Sequence, residues 1–320
     1  MGYVFSLIGA LLFAANGSVT KVVIEGGLTP LQLTQFRVIG CCIIAGVVLL
    51  IVDRSAFRLK PRQVATMAVL GIAGVAILQA GYAAALELLP VGIALLFEYT
   101  AVLFVAVIAF FFLKEKVRAR LWIAIVLVLG GLAVVAEVWA SELNALGIVF
   151  ALLAAAALTL YFLVGERQVG ATSPLAVAFW TMLFASLFWA FFSGWWQLAP
   201  ATLTAPVSLS GNLAAVVVPL WVPLAWNIVF GTFLSFLFSF LALKHLPATV
   251  AGITASSEIV FAFVIAWIWL GEGLGVVQLI GAAVVLVGIV LAQTARAGKV
   301  VDADLALVVP AVPAVPLARH

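Results

Sequence analysis

Charge is what this chain has least of: Asp, Glu, Lys and Arg make up 8% of its 320 residues, against about 25% in a soluble domain that must cover itself with polar side chains. With a mean hydropathy of +1.35, that scarcity excludes a soluble globular protein and leaves a polytopic membrane protein. Histidine is equally scarce. His245 and His320 are the only two, so no zinc or haem constellation can be assembled, and no metal or cofactor is called for. Cys41 and Cys42 are adjacent in an apolar run. Neighbours on a helix point in different directions, which excludes a disulfide framework and predicts two buried thiols. There is no Walker loop, dinucleotide loop or catalytic triad, and no acid/base pair or activated nucleophile at a plausible depth, so the chain does not read as an enzyme. A net charge of +3 is too small to indicate nucleic acid.

What the sequence has in abundance is apolar runs of about 20 residues, each long enough for a ~30 Å hydrocarbon core. Helix punctuation places spans at 3–22, 31–52, 64–86, 91–113, 120–138, 146–165, 174–195, 220–243, 248–270 and 275–294. The stretch from Asn212 to Leu243 exceeds one span, so its beginning, with Pro219 and Pro223, is expected at the interface or as a kinked entry. The first run opens almost at Met1 with no basic flank or small-residue cleavage site, so targeting is expected from the first helix itself. Arg54, Arg58, Lys60, Arg62, Lys114, Lys116, Arg118, Arg120, Arg167, Lys244, Arg296 and Lys299 all fall on the side of the termini. The opposite turns hold Lys21 and otherwise Glu25, Glu87, Glu137, Glu142 and Glu272. By the positive-inside rule both termini are cytoplasmic.

The chain also carries a duplication. LELLPVGIALLFEYTAVLFVAVIAFFFLKEKV from Leu86 aligns without a gap with LKHLPATVAGITASSEIVFAFVIAWIWLGEGL from Leu243, matching Leu89–Pro90 with Leu246–Pro247, Glu115 with Glu272 and Gly131 with Gly288. ALLFAA from Ala10 pairs with ALLAAA from Ala151. Two halves of five spans enter the membrane from opposite sides, which predicts an inverted repeat suited to alternating access. The expected fold is therefore all-α and polytopic: ten transmembrane helices as two inverted five-helix repeats, residues 1–140 and 141–297, with a flexible cytoplasmic tail at 298–320.

Glu98 and Glu258 interrupt two of these spans. Glu98 is eight residues past Pro90, about 12 Å along a helix, and Glu258 eleven past Pro247, about 16 Å. Both fall near the bilayer midplane, where an ionised carboxylate costs several kcal/mol in contact with lipid, so each should face the bundle interior. In the repeat register the two positions differ by three residues and address nearly one helix face, so a facing pair is natural. Each acid has a transport reading and a structural one, a bond to a neighbouring helix. Arg37 lies at a depth like that of Glu98, where it either neutralises that acid, binds a substrate carboxylate or snorkels to the interface. Asn16, Gln79, Tyr82, Tyr99 and Tyr161 supply polar groups that either line a pocket or bond helix to helix. Trp267 and Trp269 fit an interfacial belt. Glu115 and Glu272 precede the fifth and tenth spans and read as helix N-terminal caps. Glycines 71, 74, 130, 131, 281 and 288 read as close-packing points, those of the tenth span hinting at a dimer surface.

LPVGIALLFEYTAVLFVAVIAF in span four and SSEIVFAFVIAWIWLGE in span nine, within the duplicated layout, resemble the drug/metabolite transporter superfamily and its EamA-domain members over about residues 1–295. The nearest subgroup is that of threonine/homoserine-exporter-like proteins, from which the chain departs in following Glu258 with Ile259 rather than proline. The resemblance implies a secondary carrier of the bacterial inner membrane that exports amino acids or related metabolites. The family's glutamate pattern carries over to Glu98 and Glu258. The expected partners are a small-molecule substrate, a coupling proton and the lipid bilayer, with the chain a monomer or weak homodimer. Two other readings stay open: export or import of lipophilic or cationic compounds, and a non-transporting membrane scaffold.

Overall fold

The computed structural model describes residues 1–101, 103–104, 120–135, 143–246, 254–273 and 275–295. The chain is a helical bundle: α1 (Gly2–Glu25), α2 (Pro30–Val52), α3 (Pro61–Leu88), α4 (Val91–Glu98), α5 (Arg120–Val135), α6 (Ala145–Ala171), α7 (Pro174–Phe192), α8 (221–245), α9 (Ser257–Leu270) and α10 (Val276–Ala295). Helix starts follow local chemistry. Thr29 and Gln32 form a reciprocal capping box before Pro30, Asn144 accepts from the N–H groups of Leu146 and Gly147, and Ser173 accepts from Ala176 ahead of Pro174. Gly2–Glu25, Pro30–Val52, Pro61–Leu88, Pro174–Phe192 and Trp221–Ala242 are long and apolar enough to cross a membrane, and shorter apolar helices accompany them. Large apolar side chains such as Ile43, Ile51, Val126 and Phe191 point outward, as a bilayer-facing surface requires. The protein is an integral membrane protein of the polytopic helical class.

α2 packs on α7, α3 on α6, α1 on α8 and α9, and α4 on α6 and α9. α5 and α10 meet most closely: a Cβ on Gly281 would lie 2.9 Å from the carbonyl oxygen of Gly131, and one on Gly288 would lie 3.1 Å from that of Ala124. The glycines of α10 thus seat α5 within the chain and supply no argument for a dimer face. Among the described residues nothing comes within 4 Å of a Cβ placed on Gly130, so no packing contact is seen there.

Two helices widen into π turns, α3 at Leu70–Ala76 and α8 at Val229–Leu234. In the register that pairs Leu86 with Leu243 these segments overlap. A π turn displaces carbonyls from the regular ladder, and side chains bond several of them. Trp189 Nε1 donates to Ala76 O (3.1 Å), Ser235 Oγ to Phe230 O (2.7 Å) and Thr232 Oγ1 to Asn227 O (3.0 Å).

Between α7 and α8 lies a hairpin, β1 (Pro206–Ser208) paired antiparallel with β2 (Val217–Pro219). The excess length anticipated from Asn212 is therefore partly a hairpin, with Pro219 closing β2 and Pro223 in the first turn of α8. Gly211 turns the chain with φ +53°, where a side chain would also run into the backbone of Trp269 and Leu270. The hairpin covers the end of the bundle at which α1 finishes. Val207 and Leu220 pack there with Val19, Val22, Val23, Leu28 and Leu33. Glu115, Pro247, Glu137, Glu142, the basic residues at 114, 116, 118, 296 and 299, and the tail from 298 lie outside the described residues.

Candidate functional site

Glu98 is the last residue of the eight-residue α4, and there the helical ladder tightens. Thr100 N bonds Phe97 O (3.2 Å) and Thr100 Oγ1 bonds the same carbonyl (2.7 Å) before the chain turns helical again at Ala101. The expected uninterrupted span from 91 is thus broken immediately after its acid. Span nine has the matching feature. Ser256 forms a turn, Ile259 N bonds Ser256 O (3.2 Å), and α9 begins at Ser257 with Glu258 in its first turn. In the duplication register Tyr99–Thr100 corresponds to Ser256–Ser257. Irregular backbone at membrane depth is tolerated where protein or a cavity satisfies it, and discontinuous helices commonly hold transport sites.

Both acids are buried, Glu98 at 8% and Glu258 at 9% exposure, and neither faces lipid. Their surroundings differ. The Tyr99 hydroxyl donates to Glu258 Oε2 at 2.7 Å and lies 3.3 Å from Ala255 O, joining the residue beside one acid to the other acid. Glu98 Oε2 has no hydrogen-bond partner. Glu98 interacts electrostatically with Glu258 and Arg37, but the only ion pair among the described residues is Lys21–Glu272. Arg37, 2% exposed, donates from Nε to Thr232 Oγ1 (3.0 Å), while its Nη1 is unpartnered. The structure thus removes the snorkelling alternative and gives no direct Arg37–Glu98 bridge.

Tyr82 interacts electrostatically with Glu98, Glu258 and Arg37, and its hydroxyl has no hydrogen-bond partner. A Cβ on Gly17 would come within 2.7 Å of that hydroxyl, so α1 crosses here at backbone distance. Asn16, on the neighbouring position of α1, lies against Gly231 in the π turn of α8, where any side chain would collide with it. Its Oδ1 is unpartnered. Asn16, Arg37, Tyr82, Glu98, Tyr99 and Glu258 therefore converge between α1, α2, α3, α4, α8 and α9. Gln79 contacts Met182 of α7 (Nε2 to Sδ 3.8 Å), and Tyr161 meets Phe236 edge-on and Phe240 at a tilt. An apolar, half-open cavity of about 310 Å³ lies apart from these residues, lined by residues including Phe97, Thr100, Phe104, Leu129 and Ile148.

The model of the EamA-like transporter family matches residues 1–136 and again 145–294. The chain belongs to the EamA-like transporter family. Its members are membrane transporters of small molecules, so an integral membrane transporter is the class to which the convergent polar residues belong. A solved crystal structure, described only as that of a protein, shares the fold with a TM-score of 0.62 at 17% identity, covering 92% of this chain and 97% of that one. No curated protein matches.

Three polar residues bonded beside this cluster were not anticipated from sequence. Thr232 and Asn227 lie on α8, Thr20 on α1, and Asn227 Nδ2 donates to Thr20 Oγ1 at 3.0 Å. Polar residues inside an apolar run were the available signal. Their five-residue spacing joins Asn227 to Thr232 only because α8 is π-helical there. Two other expectations need correction. Glu272 caps a helix, but not the one that follows it: Gly275 N is bonded by Gln278 Oε1, and the Glu272 carboxylate reaches Val91 N at the start of α4 (2.9 Å) and Lys21. Trp267 is 64% exposed as a belt residue would be, whereas the Trp269 indole donates to Leu209 O (2.7 Å) and fastens the hairpin.

Proposed function

We propose that this EamA-family chain is a secondary active transporter that exports a small metabolite, an amino acid or related compound, by alternating access between two inverted five-helix repeats. The observation that carries the reading is the pair of buried acids, each beside a helix break at corresponding positions of the duplication. The unpartnered atoms add chemistry of both signs: Glu98 Oε2 suits a substrate ammonium or a coupling proton, and Arg37 Nη1 suits a carboxylate. A zwitterion presents both groups. The likeness of spans four and nine to threonine/homoserine-exporter-like proteins supports the same cargo. Matched π turns in α3 and α8 support the duplication, and the basic residues at the termini side support cytoplasmic termini in a bacterial inner membrane.

The test is uphill amino-acid efflux from proteoliposomes under an imposed pH gradient. The expected result is transport that collapses with the gradient and with Glu98→Gln. Transport indifferent to both overturns proton coupling through Glu98, and no movement of any amino acid overturns the cargo. A second reading has one observation in its favour: the apolar cavity beside α4, flanked by Phe97 and Phe104, suits a lipophilic compound. Thermal-shift screening of the purified protein separates the two, since stabilisation by lipophilic cations but by no amino acid selects the second.

A further inference from the structure

Glu272 lies two residues beyond α9, yet its two partners come from two other helices. Oε1 pairs with Lys21 on α1, and Oε2 accepts from the backbone N–H of Val91, the first residue of α4, at 2.9 Å. The side chains of the pair are 18% and 19% exposed. An exposed ion pair contributes little by itself; the added charge-assisted bond to a helix N-terminus makes this a directional junction of three elements.

Those same three elements carry the site. α1 bears Asn16 five residues before Lys21, α4 runs from Val91 to Glu98, and α9 runs from the turn holding Glu258 toward Glu272. At 1.5 Å per residue, Glu98 stands about 10 Å from the junction along α4, and Glu258 about 18 Å from the end of α9 along its own axis. Tyr82 interacts electrostatically with Glu98, Glu258 and Glu272 alike. α4 and α9 therefore each link one of the acids to the point where Glu272 holds the two helices together.

The hairpin seals the same end. Ser210 bonds Glu25 at the end of α1, Asn212 Nδ2 donates to Ile268 O (2.9 Å), and Trp269 Nε1 donates to Leu209 O. At the opposite end, Phe5 lies against Phe238 and His245.

Resting on the carrier reading, we propose that Lys21, Glu272 and the start of α4 form the gate that closes one face of the site, with Glu272 a positioning residue that sets Glu98 through α4. Ala94 lies on the face of α4 shared by Val91 and Glu98, between gate and acid, and is fully buried. Ala94→Cys in a Cys41→Ala/Cys42→Ala background is therefore the reporter, and a membrane-impermeant methanethiosulfonate applied to one face of full-length protein in proteoliposomes is the probe.

Glu272→Gln, which keeps an acceptor for Val91, is expected to raise the labelling rate about threefold, and Glu272→Ala about tenfold. Lys21→Glu, which sets two carboxylates together, is expected to raise it most, and adding Glu272→Lys to bring it back toward the starting rate. Unchanged labelling in all variants overturns the gate, as does a rise that is equal from both faces and is not reversed by the charge exchange, because that is general loosening. The readout needs no substrate. Altered labelling with no solute moved leaves the gate standing and sinks the carrier reading; solute movement with unaltered labelling does the reverse.

Discussion

The two buried acids occupy corresponding stretches of the duplication and sit in different chemistry. Glu258 opens α9, where the positive end of the helix dipole favours its charge, and a tyrosine hydroxyl is bonded to it. Glu98 closes α4, at the unfavourable end of that helix, with one oxygen unpartnered and a cation within electrostatic range. Equal burial therefore does not mean equal function: one carboxylate is committed to a contact between the halves, and the other is open to a cation from outside the chain. On the proposed carrier reading, that contrast gives substrate or proton binding to Glu98, while Tyr99 bonds Glu258 across the halves.

Glu98→Gln against Glu258→Gln is the sharpest way to break the comparison. Initial efflux rates in proteoliposomes are expected to fall about 100-fold for the first, the scale of removing one partner of a buried charged contact, and about tenfold for the second. Equal losses would remove the distinction. Tyr99→Phe deletes the hydroxyl that holds Glu258, a charge-assisted bond of about 1.5–3 kcal/mol, and should reproduce the Glu258→Gln phenotype, with no further loss on top of Glu258→Gln and an additive loss on top of Glu98→Gln. A loss that adds to Glu258→Gln but not to Glu98→Gln would place Tyr99 on the Glu98 side instead.

Arg37→Lys tests whether the Glu98 side also reads a carboxylate. Charge is kept, but the planar fork that reaches Thr232 while presenting Nη1 is lost. The expectation is a rise in KM of about tenfold for an amino acid, with little change for an amine lacking the carboxylate. Thr232→Val removes one bond to Arg37 and one to Asn227 O, each of about 1 kcal/mol. It should raise KM about fivefold and lower Tm by a few degrees, the smallest of these effects.

Much of this was legible in the sequence. The apolar runs, the duplicated Leu–Pro landmarks and the depth of the acids come from local hydropathy and spacing, which a bilayer enforces residue by residue. Burial of Glu98 and Glu258 followed from the cost of exposing charge to lipid. The positions of Lys21 and Glu272 in turns on one side made their meeting possible. For Gln79 and Tyr161 the sequence left pocket lining and helix-to-helix contact open, and their contacts include Met182 and the rings of Phe236 and Phe240, since polarity inside a span does not say which neighbouring helix it faces. The five-residue link from Asn227 to Thr232 could not be read from a 3.6-residue period, since only the π turn brings the two together.

Sequence alone determined the class of the protein, the approximate course of its helices and the presence of deep charge, because the length and hydropathy of a segment decide whether lipid will accept it. The tertiary structure decided which partner each polar group takes: Tyr99 for Glu258, Thr232 for Arg37, Val91 and Lys21 for Glu272. These partners lie some 150 to 250 residues apart in the chain. Such pairings depend on how helices cross and rotate against one another, and packing of whole faces sets those angles where no local pattern records them.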